Sequence, residues 1–128
     1  VLDYGCGTGL SGAALLQAGF TCVDGADLSQ DMLALAREKG VYRNTWPVQP
    51  DSDIPYDPGA YASITASGVI GVGLAPPETL DLLLDQLNPG GLLAMLTGVN
   101  TWYREGGRLS RERVERIYWN MVRRAVGA

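Results

Sequence analysis

With 128 residues, 46% of them hydrophobic and 19% charged, the chain is long enough for one domain with a buried core and too evenly composed for a low-complexity or disordered segment. No apolar run is long enough to span a bilayer as a helix. Residues 1–103 carry eleven acids against three bases, which argues against broad phosphate-backbone binding, while residues 104–128 carry three acids against seven bases and read as a solvated helix face in preference to a nucleic-acid or acidic-substrate patch.

Histidine is absent, which removes Ser–His and Cys–His nucleophile pairs, the usual general base and the commonest metal ligand. The two cysteines, Cys6 and Cys22, make no disulfide framework and lack metal-ligand spacing. No metal site is predicted, and the expected location is a reducing cytoplasm.

In chain order, Val1 to Tyr4 reads as a first strand that ends in the glycine-rich turn Gly5-Cys6-Gly7-Thr8-Gly9. A helix follows from Leu10 to Ala18, with Gly19 as its stop, and a second strand from Phe20 to Ala26. Ser29 is placed to cap the next helix and Asp31 suits its first turn; Met32, Leu33, Leu35 and Ala36 would face a sheet, and Gly40 ends it. Tyr42 to Val48 is a weak third strand, put at an edge by Pro47, and 49–59, with three prolines, is a loop.

A fourth strand spans Tyr61 to Ser67. Pro76 and Pro77 open a helix with Leu80, Leu83, Leu84 and Leu87 at helical spacing and Asp81 and Asp85 outward. Asn88-Pro89-Gly90-Gly91 breaks it before a fifth strand, Leu92 to Leu96. A last helix starts near Ser110, with Val114, Ile117, Tyr118, Met121, Val122 and Ala125 as its apolar stripe. Alternation of strand and helix predicts an α/β fold with a parallel, doubly wound sheet in a three-layer αβα arrangement.

A strand that enters a helix through glycines at alternate positions brings bare backbone N–H groups up to a ligand. Asp27, closing the second strand some 18 residues past Gly9, is placed to accept from a ribose diol. Gly7, Gly9 and Gly12 also spell the Gly-x-Gly-x-x-Gly of nicotinamide-binding dehydrogenases, but that register leaves Asp3 and Gly5 without a role. A non-catalytic fold that binds a nucleotide or only a partner is a third reading.

Three motifs in order resemble the class I S-adenosylmethionine-dependent methyltransferases: Asp3 to Gly9 as acid-x-Gly-x-Gly-x-Gly, Asp27-Leu28-Ser29-Gln30-Asp31-Met32-Leu33, and Leu87 to Leu93 with its Pro-Gly-Gly. Gly40-Val41-Tyr42 and Gly68-Val69-Ile70 are similar to the branch of Williams–Beuren region methyltransferase-like proteins. The resemblance covers about residues 1–100 and implies a Rossmann-like sheet of order 3-2-1-4-5. Strands 6 and 7 and a leading helix would lie outside residues 1–128, a domain truncated at both ends.

It further implies S-adenosyl-L-methionine as cofactor. Asp3 would help hold its charged amino group; Gly5, Cys6 and Gly7 would line the methionine and ribose portion; Asp27 would take the ribose hydroxyls and Leu28 an adenine face. Gln49 or Asp51 would meet the adenine edge, and Ser67 would lie where cofactor and acceptor meet. No catalytic base can be named. Ser67-Gly68-Val69-Ile70 is apolar and glycine-rich, which suits a small organic acceptor, and Thr65-Ala66-Ser67-Gly68 is unlike the motif of enzymes that methylate base amines of nucleic acids.

Overall fold

The computed structural model describes residues 1–49, 56–69, 75, 76, 78–96 and 116. The chain divides into a unit from Val1 to Thr97 and a second from Gly98 to Ala128, of which Arg116, helical and exposed, is described. The last helix expected from Ser110, its apolar stripe, and Asp51 therefore lie outside the described residues.

The first unit is a five-stranded parallel sheet. Its elements are β1 (Leu2–Tyr4), α1 (Leu10–Gln17), β2 (Asp24–Asp27), α2 (Gln30–Lys39), β3 (Thr45–Pro47), β4 (Tyr61–Ser67), α3 (Thr79–Asp85) and β5 (Leu87–Leu96), in the sheet order β3-β2-β1-β4-β5. The expected order and the edge position of the proline-bearing third strand are both present. Among the described residues no helix is long and apolar enough to cross a membrane.

Register divides the two faces of this sheet by chemistry. Leu2 stands between Asp24 and Ile64, whereas Asp3 stands between Gly25 and Thr65. Successive strand residues point to opposite faces, so the first row shares the face of the main core and the second lies under α1 and α2. The core joins Leu2, Tyr4, Ala26, Ile64 and Ala66 to Leu83 of α3. Leu2, Leu33, Ile64 and Leu83 are fully buried, each contributing roughly 1.5–3 kcal/mol by leaving water.

The second strand is shorter than expected, Asp24–Asp27 in place of Phe20 to Ala26. Phe20 is consumed by the end of α1: its N–H donates to the Leu15 carbonyl and that of Gly19 to Leu16, the paired bonds of a Schellman cap. α2 is bounded as expected, Ser29 accepting from the Met32 N–H at 3.3 Å and Gly40 closing it with φ 63°. Its buried stripe is only Leu33 and Ala36, because the helix lies over β2 and the edge strand β3; Met32 and Leu35 remain exposed.

β4 has the expected bounds, but the next helix and strand differ. α3 stops at Asp85 and buries Leu83, while Leu84 is exposed and Leu87 pairs with Tyr61 at the start of β5. The Pro-Gly-Gly turn is thus absorbed into the strand as an irregularity in register between Tyr61 and Ser63. Gly91 permits it, since a methyl there would stand 2.9 Å from the Asn88 carbonyl and 3.1 Å from that of Ala62.

On the core face, Asp24 is 2% exposed and fully engaged: Arg43 Nη2 at 2.6 Å and Nε at 3.0 Å, the Asn44 N–H, and the Tyr61 hydroxyl at 2.9 Å. Tyr61 in turn meets Tyr56 edge-on, and Tyr56 meets Trp46. Burial alone would push the Asp24 carboxyl up, but the Arg43, Tyr61 and Asn44 bonds hold it below the ordinary carboxylate value. A group so depressed in the folded state contributes stability above its unfolded value of about 3.9 and loses it as pH falls through the folded value. Urea midpoints are therefore expected to fall steeply below about pH 4, and Arg43→Ala to flatten that acid limb.

Candidate functional site

The site is built where β1, β2 and β4 end together. After Tyr4 the chain turns at once, and the Gly5 and Cys6 N–H groups both donate to the Ala26 carbonyl, at 2.7 and 3.0 Å. Gly5, Gly7 and Gly9 have φ of 74°, 53° and 90°, the left-handed region that side chains avoid. Gly9 leads into α1 as its N-cap residue.

This loop is tied to the end of β2 through Asp27. One carboxylate oxygen accepts from the Gly7 N–H at 2.8 Å and the other from the Ser29 N–H at 2.9 Å. A carboxylate offers about four lone-pair directions, so each oxygen keeps one for an incoming hydroxyl. Asp27 is half-buried, and Leu28 beside it is 42% exposed. A methyl built on Gly7 would meet nothing within 4 Å, so the backbone there borders open space.

On the other side, Ser67 ends β4 exposed, Gly68 turns with φ 68°, and Val69 folds onto the glycine loop. A methyl at Gly5 would stand 2.5 Å from Val69 Cγ2, so Val69 as well as the left-handed backbone holds this position to glycine. The Val69 carbonyl accepts from the Ala75 N–H at 2.9 Å. Gln49 is exposed beyond β3.

Asp3 is placed differently from a residue that meets a ligand at the surface. It is 1% exposed and accepts from Tyr42 (2.7 Å) and Ser11 (2.5 Å) on one oxygen and from Thr65 (3.1 Å) on the other. Cys6 also turns inward; its thiol is buried and pushed up to about 12 by burial and then by the Asp3 and Asp27 charges. It stays a thiol at neutral pH and is no nucleophile. Only its backbone is left for a ligand.

Three contacts at the loop have no local signal in the sequence. Lys39 donates to the Thr8 carbonyl at 2.6 Å, Val69 covers Gly5, and Tyr42 reaches both Asp3 and the Gly12 N–H. Gly40-Val41-Tyr42 stood out as a motif, but nothing local tells that its tyrosine turns back beneath the first loop.

A tie between the first two strand ends, open space before Gly7, two free acceptor directions on Asp27 and an apolar shelf at Leu28 together suit an adenosyl group. The family comparison agrees: the model of the methyltransferase domain matches residues 1–91, and the chain belongs to that family. Family and fold imply S-adenosyl-L-methionine as cofactor. A second model, the tetracyclin repressor-like C-terminal domain, matches residues 89–126.

Among proteins, the chain is 30% identical over 119 residues to human methyltransferase-like protein 27, covering 90% of this chain and 48% of that one. It is 34% identical over 97 residues to the demethylmenaquinone methyltransferase of Clavibacter sepedonicus, covering 74% and 39%. Among solved structures, the [4+2]-cyclase SpnF superposes with a TM-score of 0.61 at 28% identity, over 73% of this chain and 36% of that one. The chain thus spans less than half the length of each of these relatives.

Proposed function

We propose that the chain is the cofactor-binding part of a class I methyltransferase that moves a methyl group from S-adenosylmethionine to a small organic acceptor in the cytoplasm. The observation that carries this reading is the Gly7–Asp27 tie, which sets a half-used carboxylate beside a Gly7 backbone that borders open space. Residues 1–128 are then part of one longer methyltransferase domain, in keeping with the share of each relative that the chain spans.

When bound, the cofactor supplies a methyl carbon already activated by a positively charged sulfur. The chain's share is therefore alignment and the exclusion of water rather than covalent catalysis. Asp27 would orient the ribose through both hydroxyls, and Leu28 would cover an adenine face by dispersion. Gln49 or Asp51 would accept from the adenine edge. The backbone of Gly5, Cys6 and Gly7 would lie along the methionine and ribose portion, with the buried Asp3 charge below it. Val69 and the exposed end of β4 at Ser67 would shield the side where an acceptor enters. A small acceptor suits this apolar rim, and the acidic composition of residues 1–103 disfavours nucleic acid.

A second reading keeps the cofactor site and changes the reaction, and likeness to a [4+2]-cyclase is the observation that favours it. Calorimetry with S-adenosylmethionine, S-adenosylhomocysteine and NAD tests the site. Binding of the first two without NAD is expected; NAD binding, or no nucleotide binding at all, overturns the reading. Incubation with a metabolite extract and labelled donor then separates the two reactions, since only the first yields a labelled product.

A further inference from the structure

The glycine loop creates a difficulty for the helix it feeds. The first N–H groups of a helix lack intrahelical acceptors, and a Ser, Thr, Asp or Asn at the N-cap normally supplies one. Here the N-cap is Gly9, which makes no side-chain cap. Its place is crowded as well, with Val41 Cγ2 3.3 Å and Tyr42 Cε2 3.4 Å from where a Cβ would stand.

The missing acceptor comes from 30 residues away. The Tyr42 hydroxyl accepts from the Gly12 N–H at 3.1 Å and donates to Asp3 Oδ2 at 2.7 Å. Its ring lies where side chains on Gly12 and Gly25 would be, the latter 3.1 Å from Tyr42 Cδ2. The same short segment holds the loop from outside through Lys39, which donates to the Thr8 carbonyl and, at 3.3 Å, to the Thr8 hydroxyl. Burial and the Asp3 bond push the Tyr42 phenol above its ordinary value, so the hydroxyl keeps its proton at neutral pH.

We propose that Tyr42 is a positioning residue for the cofactor: a distant cap on α1 that, through Gly12 and Asp3, holds the Gly5–Gly9 loop in the shape that meets the ligand. This rests on the reading of the site given above. The ring fills the space that three glycines leave, while the hydroxyl does the holding, so the two roles can be separated.

Tyr42→Phe keeps the ring and removes the hydroxyl. Tyr61→Phe is the control, because it removes a hydroxyl from a second buried carboxylate, Asp24, on the opposite face of the sheet. Hydrogen bonds to charged groups are stronger than neutral ones, so both variants should melt at lower temperature. Only Tyr42→Phe should weaken S-adenosylhomocysteine binding, by about tenfold, and speed amide exchange at Gly12 and through Gly5–Gly9 in the ligand-free chain. Parental affinity or unchanged exchange in Tyr42→Phe overturns the proposal, as does an equal loss of affinity in Tyr61→Phe. A parent chain that binds no S-adenosylhomocysteine overturns the site reading and this role together, a different outcome from a parent that binds and a Tyr42→Phe chain that binds equally well.

Discussion

Asp27→Ala is expected to weaken S-adenosylhomocysteine binding at least about a hundredfold while lowering the melting temperature by only a few degrees. On the proposed reading two diol hydroxyls would bond to this one carboxylate and be lost together, each worth about 1.5–3 kcal/mol when the acceptor is charged. The Gly7 N–H, which Asp27 holds at 2.8 Å, loses its acceptor as well, so the loop is freed at the point where the ligand would approach. Both Gly7 and Ser29 are only partly buried, so water can satisfy the released N–H groups and the fold should survive. Calorimetry beside a thermal melt checks both halves. Unchanged affinity would remove Asp27 from the site, and a collapsed melt would make its role structural.

Elements whose signals are local were legible in the sequence. The serine cap, the closing glycine of α2 and the bounds of β4 follow from neighbouring residues, as does the edge position of a strand carrying Pro47. What was not legible depends on partners far along the chain. Phe20 reads as a strand residue until the α1 cap claims its N–H. Asn88-Pro89-Gly90-Gly91 reads as a turn between elements, but β4 pairs across it and draws it into β5.

The site divides in the same way. The glycine spacing and Asp27 mark the proposed cradle, because the tie between one loop and one strand end is all that its geometry requires. The sequence marks Asp3 as a charge that would help hold the cofactor's amino group, directly or through water, but not its enclosure by the hydroxyl partners Tyr42 and Thr65, 39 and 62 residues away. No pattern in residues 1–9 foretells that enclosure. The glycines, uniform in the motif, separate by what faces them: Gly7 borders open space, Gly5 is pressed by Val69, and Gly12 and Gly25 accommodate Tyr42.

That division makes a single methyl at Gly12 strongly damaging. The added carbon would stand 2.5 Å from both Tyr42 Cε1 and the Tyr42 hydroxyl, well inside contact distance. The ring cannot swing aside without breaking its bond to Asp3 and losing the cap on α1. Overpacking of about 1–3 kcal/mol and a lost charge-assisted bond of about 1.5–3 kcal/mol then combine, so the melting temperature should fall by about 10 °C or more. Gly7→Ala meets no atom within 4 Å and should lose only about 1–2 kcal/mol to its left-handed backbone, while its methyl intrudes on the ligand's approach. The decisive comparison is Gly12→Ala in a Tyr42→Ala background. There the space is vacant and helix propensity favours alanine, so the substitution should turn neutral or mildly stabilising. An equally large loss in both backgrounds would mean that something other than Tyr42 keeps Gly12 a glycine.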